Sequence, residues 1–158
     1  MRARILASLV LALLALAPAA RAADGALALT ELDGRAVALA PAPGGSLVVH
    51  FWATWCPSCK AELADLDRAA RACEGTPVEV VTVDVGEDAD TVRRWLADRP
   101  LRARLLLDPG GRAWRRSGGR EMPANLIWTS ERQSWAFGPS SEAAWRERLA
   151  ALGCAFSQ

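Results

Sequence analysis

Residues 47–62 read Leu47-Val48-Val49-His50-Phe51-Trp52-Ala53-Thr54-Trp55-Cys56-Pro57-Ser58-Cys59-Lys60-Ala61-Glu62. The first six are aliphatic or aromatic apart from His50, the pattern of a strand buried on both faces. Two cysteines with two residues between them follow at once. Pro57 suits the first position of a helix, where a missing N–H costs nothing. The stretch therefore sets a C-x-x-C pair where a central strand turns into a helix. Unpaired backbone N–H groups at a helix start carry a partial positive charge of about half a unit. They stabilise a thiolate and draw its pKa from about 8.5 toward roughly 3.5–7.5. Cys56, at the helix mouth, is expected to be the exposed attacking thiol. Cys59 lies one turn in, more shielded, and close enough to resolve a mixed disulfide.

Other uses of such a pair fit less well. Haem attachment needs a histidine directly after the second cysteine, and Lys60 stands there. Zinc needs four ligands, and the chain has neither a second C-x-x-C nor a pair of histidines. An inert structural disulfide rarely occupies a strand-to-helix junction with the helix dipole behind it.

Short apolar runs alternate with helical patterns on either side, which is an α/β layout. Ala26 to Leu29 and Ala36 to Leu39 form two short strands around Asp33-Gly34. The helix opened by Pro57 runs to about Cys73, with Leu63, Leu66 and Ala70 on its apolar side. Val78 to Val85 (VEVVTVDV) is a second central strand. Asp90 to Asp98 is a helix with Val92, Trp95 and Leu96 inward. Arg104 to Leu107 is a strand closed by the turn Asp108-Pro109-Gly110-Gly111. Asn125 to Trp128 and Ser134 to Phe137 are antiparallel strands. Ser141 caps a last helix, Glu142 to Leu152. Trp95, Trp114, Trp128, Trp135 and Trp145 read as core or half-buried cover. Arg112, Arg115, Arg116 and Arg120 read as a solvated rim.

The 158 residues leave room for one ordinary domain. A composition of 51% hydrophobic and 23% charged residues is globular. A net charge of +1 excludes a general nucleic-acid binder. Arg2 and Arg4, the uncharged run Ile5 to Leu16, Pro18 and the small-residue site Ala20-Arg21-Ala22 have the form of a secretory signal peptide. Residues 1–22 are expected to be removed, with 23–158 as one exported domain that does not span the membrane. Disulfides are permitted in that compartment.

Phe51 to Glu62 (FWATWCPSCKAE) resembles the active-site segment of the thioredoxin superfamily, and most of all the exported TlpA/ResA-type thiol–disulfide oxidoreductases, which include the reductases of cytochrome c maturation. The resemblance extends from Leu29-Thr30-Glu31-Leu32-Asp33-Gly34 to the last helix. It implies a thioredoxin-like fold, a central mixed sheet with helices on both faces. It also implies a cis-proline loop facing the cysteines, at the position of Met122-Pro123. Trp55, Pro57, Met122 and Pro123 then contact the substrate, and Cys56, Cys59, Glu62 and Pro123 form the catalytic set. Glu62 matches the family's acidic residue that tunes thiol pKa values and relays protons; on spacing alone it could equally be a solvated helix carboxylate. His50 departs from the family, where thioredoxins proper carry a buried aspartate and many TlpA/ResA-type proteins a neutral amide. It is either a proton acceptor behind Cys59 or a neutral buried imidazole. Cys73 and Cys154 end two helices that cover one face of the sheet in the family's fold, and are expected to form a structural disulfide.

The function this implies is reduction of disulfides in partner proteins of the periplasm, by a monomer without metal or cofactor, recharged by a membrane-bound electron donor. Two alternatives remain open on the sequence: a disulfide oxidase or isomerase of the same fold, and a copper-binding chaperone using two thiolates and one histidine.

Overall fold

The computed structural model describes residues 25–156. The expected leader over residues 1–22 lies outside the described residues. The strands are β1 (Leu27–Thr30), β2 (Ala36–Leu39), β3 (Ser46–Trp52), β4 (Val78–Val85), β5 (Arg104–Asp108), β6 (Ala124–Trp128) and β7 (Gln133–Phe137). The helices are α1 (Pro57–Ala70), α2 (Ala89–Leu96), α3 (Arg112–Ser117) and α4 (Glu142–Ala151). The strands form one mixed sheet in the order β2-β1-β5-β4-β3-β6-β7. β3, β4 and β5 run parallel. β6 is antiparallel to β3, β7 to β6, and β1 to both β2 and β5.

Strand alternation sorts the core into layers. Leu47, Val49 and Phe51 of β3 join Val81, Val83 and Leu106 on the face covered by α3, where Trp114 packs on Phe51 at 5.1 Å between centroids. Val48 points the other way, into a cluster with Leu66, Ala69, Trp145 and Leu149 from α1 and α4. Trp52 continues that face toward the C-x-x-C pair and meets Trp95 of α2 at 4.9 Å. Helices thus cover both faces of a thioredoxin-like sheet. Cys73 and Cys154 are bonded, with Cα atoms 4.4 Å apart. They tie the end of α1 to the segment after α4, beside the backbone bond from Ala155 N to Ala72 O at 2.8 Å.

The elements depart from the sequence expectation in a few places. α1 ends at Ala70 and tightens into a 3-10 turn, Arg71–Cys73. α2 starts at Ala89, one residue early, because Asp88 caps it by accepting from Thr91 N at 2.7 Å, and it stops at Leu96. α3 is not expected from the sequence at all. It is six residues long, glycines in left-handed conformation bound it (Gly111, φ 60; Gly118, φ 101), and its arginines mask the buried pair Ala113 and Trp114. Asp108, read only as a turn residue, caps this helix by accepting from Arg112 N at 2.9 Å and Trp114 N at 2.8 Å.

Candidate active site

The chain leaves β3 at Trp52 and turns through Ala53 to Cys56, a turn closed by Cys56 N donating to Ala53 O at 3.1 Å. Cys56 is the N-cap of α1 in extended conformation, and its sulfur accepts from Cys59 N at 3.3 Å. Pro57 follows as the first helical residue. Sulfur at the N-cap sits where the orphan N–H groups and the dipole favour negative charge. The two cysteines are bonded, with Cα atoms 5.3 Å apart.

The expected exposure of Cys56 is corrected in degree. Cys56 is 5% exposed and Cys59 0%, so the order holds but both are recessed. Trp52, Ala53, Leu63 and the half-buried Met122 pack around them. The exposed groups are the neighbours: Trp55 at 64%, with Pro57 and Ser58. Trp55 is the exposed large hydrophobic side chain of the described residues. The bond between Met122 and Pro123 is cis, and Pro123 O accepts from Gly138 N at 2.9 Å. This loop precedes β6 and brings Met122 against the cysteine cluster.

Behind Cys59 lies a buried polar relay. His50 Nδ1 donates to Asn125 Oδ1 at 2.7 Å, and Asn125 Nδ2 donates to Glu62 Oε1 at 2.9 Å. His50 Nδ1 is 3.9 Å from Glu62 Oε1. All three residues are buried. Glu62 is therefore not a solvated helix carboxylate. Burial pushes its carboxyl above the ordinary range, against the Asn125 amide, which favours the ionised form. Burial pulls His50 down to about 4, against the Asn125 amide oxygen and the nearby Cys59 backbone, which both favour the charged ring. The imidazole is neutral at physiological pH. With Nδ1 protonated toward Asn125, Nε2 is a free acceptor, and it has no partner among the described residues.

Three polar residues of this region are missing from the sequence-based set. Asn125 had a faint signal, a polar residue in the apolar run Asn125 to Trp128, but only the β3–β6 register puts it beside His50. Asp84, fully buried next to Trp52 in the β3–β4 register, could have been found as the carboxylate inside VEVVTVDV. Glu87, which accepts both the backbone N–H and the hydroxyl of Thr54, left no signal.

The sequence model of the AhpC/TSA family matches residues 18–141. The thiol-disulfide oxidoreductase ResA of Halalkalibacterium halodurans is 27% identical over 110 residues, covering 68% of this chain and 62% of that protein. The ResA of Bacillus subtilis is 28% identical over 80 residues, covering 51% of this chain and 45% of that one. The chain thus spans less than two thirds of the length of the curated relatives it matches. Among solved structures, a secreted Mycobacterium tuberculosis disulfide oxidoreductase homologous to E. coli DsbE superposes with a TM-score of 0.71 at 26% identity, covering 81% of this chain and 97% of that one. The pneumococcal exposed lipoprotein thioredoxin Etrx1 of Streptococcus pneumoniae gives a TM-score of 0.67 at 27% identity, covering 80% and 99%.

Proposed function

The chain belongs to the AhpC/TSA family of the thioredoxin superfamily, and from that membership and the placement of its cysteines we propose that it is an exported thiol–disulfide oxidoreductase that reduces disulfides in other proteins. The observation that carries this reading is Cys56 as N-cap of α1, bonded to Cys59 and ringed by exposed Trp55, Pro57 and Ser58. Export is supported by the leader pattern of residues 1–22 and by the secreted relative from Mycobacterium tuberculosis.

The reaction starts from the dithiol. The Cys56 thiolate, favoured by the helix terminus, attacks one sulfur of a partner's disulfide. A bond forms from Cys56 Sγ to that sulfur, and the partner's other sulfur leaves as a thiolate and takes up a proton. Cys59 then attacks Cys56 Sγ, and the partner's second sulfur leaves. The partner has gained two electrons, and the Cys56–Cys59 disulfide remains, the state seen here. A membrane-bound dithiol donor returns the two electrons. Before its attack Cys59 must lose a proton inside the core. Neutral His50, with Nε2 free, and Glu62 one helical turn along are the groups placed to take it. Trp55, Pro57 and the Met122–Pro123 loop supply the surface on which the partner's chain lies, in the manner of an added strand.

The surroundings of Cys59 support the reductive direction. It is fully buried, and Glu62 nearby adds a like charge whenever it is ionised, so both effects disfavour its thiolate. A dithiol that gains little from ionising is readily oxidised, which makes it a reductant.

The test is a Cys59→Ser variant incubated with a disulfide-bonded peptide. A mixed disulfide through Cys56 is expected to accumulate, and the parent is expected to equilibrate with thiol buffers at about −200 mV or below. No mixed disulfide refutes the activity. A potential near −120 mV, at the oxidising end of about −120 to −270 mV for this fold's enzymes, reverses the direction.

A further inference from the structure

The turn that delivers Cys56 is fastened by one side chain from outside α1. Glu87, half-buried between β4 and α2, accepts Thr54 N–H on Oε2 at 2.5 Å and the Thr54 hydroxyl on Oε1 at 2.6 Å. Both oxygens are thus committed to one residue, two positions ahead of the thiol. Beside Glu87 lies Asp84 of β4, fully buried and in register with Trp52 of β3. Neither Asp84 oxygen meets a donor among the described residues. The polar groups nearest it are the Glu87 carboxyl, a second acceptor, and the Glu87 backbone N–H. With Asp84 fully buried and Glu87 reaching toward solvent, the two carboxyl groups favour a proton on the buried one.

We propose that Asp84 and Glu87 share one proton and act together as a positioning pair for Cys56, through Thr54. The proposal rests on the thiol–disulfide reading above. Protonated Asp84 donates to Glu87 and keeps that carboxylate aimed at Thr54. Removing the proton sets two negative charges side by side, loosens the grip on Thr54, and frees the turn Ala53–Cys56. Beyond the Glu87 backbone N–H, the described surroundings offer no cation to neutralise the second charge. β3 presents Trp52 and, two residues back on the same side, the neutral His50. β5 presents Leu107, and α2 brings Trp95 against Trp52. The turn before α2 adds Asp88, a further carboxylate. No arginine or lysine pairs with Asp84 among the described residues. Burial first, then Glu87, push the Asp84 carboxyl up to about 8. The pair is therefore intact at neutral pH and opens under mildly alkaline conditions.

The decisive measurement uses the oxidised full chain, in which no active-site thiol titrates. The Thr54 amide is followed by proton–nitrogen correlation NMR between about pH 6 and 10, the range bracketing the Asp84 shift. One step is expected, centred within about a unit of the Asp84 value. Asp84→Asn, which keeps the shape and a donor toward Glu87, is expected to abolish the step. Glu87→Gln, which removes the facing charge, is expected to lower the Asp84 carboxyl midpoint, followed by carbon NMR. In the reduced protein, the rate of Cys56 alkylation relative to Asp84→Asn is expected to change several-fold across the same step. A Thr54 amide that stays still, or moves equally in Asp84→Asn, overturns the proposal. A titrating Thr54 in a protein that exchanges with no disulfide overturns the functional reading and, with it, the role given to this pair. A silent Thr54 in an active protein overturns this proposal alone.

Discussion

Replacing Cys73 and Cys154 together by alanine opens a ring whose ends are 81 residues apart in sequence. In the chain-entropy treatment, a loop of that size restrains the unfolded chain by on the order of 4.5 kcal/mol at room temperature. Little compensates in the folded state. The Ala155–Ala72 backbone bond and the packing of Leu66, Trp145 and Leu149 on Val48 hold the two helix ends together without the sulfurs. The folded state thus keeps its geometry while the unfolded state gains freedom. For a domain of this size each kcal/mol moves Tm by roughly 3–5 °C, so a fall of about 14–22 °C is expected. Urea unfolding followed by circular dichroism, with calorimetry on the same samples, measures it. The Cys56→Ala/Cys59→Ala protein is the internal comparison, because that bond spans a separation of 3. The same treatment gives it only about 1.6 kcal/mol. A Cys73→Ala/Cys154→Ala protein within about 0.5 kcal/mol of the parent, the range of neutral surface changes, refutes the reasoning. So does a loss no larger than that of the active pair.

Three further outcomes are expected. His50 is held at about 4 against an ordinary 6.5, so the folded state resists charging it. Its contribution is whole above the unfolded value and is lost as pH falls through the folded one, on the order of 3 kcal/mol. Tm against pH for the parent and His50→Gln reads this, and parallel curves refute it. Glu62→Gln removes the buried carboxyl one turn from Cys59 and, with it, the like charge that opposes the thiolate when Glu62 is ionised; it is expected to lower the apparent thiol pKa of Cys59 by about one unit, tenfold in thiolate. The pH profile of alkylation in the reduced Cys56→Ser background tests it; an unchanged midpoint separates Glu62 from the thiols. A Cβ at Gly119 would overlap the ring of the buried Trp114. Gly119→Ala is expected to destabilise by about 1–3 kcal/mol through overpacking. A urea midpoint equal to the parent's shows that α3 gives way freely.

The C-x-x-C pair at the end of a buried strand was legible because strand, turn and helix start are contiguous in sequence. Pattern and turn chemistry specify such local structure directly. The same holds for Val78 to Val85 and for the last helix after Ser141. α3 was not, because six residues make fewer than two turns, too short for an apolar repeat to show, and its arginines outnumber its buried pair. His50 and Glu62 could be singled out as polar residues near the cysteines, but not what holds them. Asn125 reaches both from 75 and 63 residues away, and only the pairing of β6 with β3 brings it there. Asp84 stood out as a carboxylate within an apolar strand, but only the pairing of β4 with β3 sets it beside Trp52. Glu87 reaches Thr54 across 33 residues of chain. The sequence alone determined which residues carry the sulfur chemistry and on which element. The tertiary structure decided which polar groups are buried together. Burial and strand register are non-local, and they set the cost of charge around the cysteines.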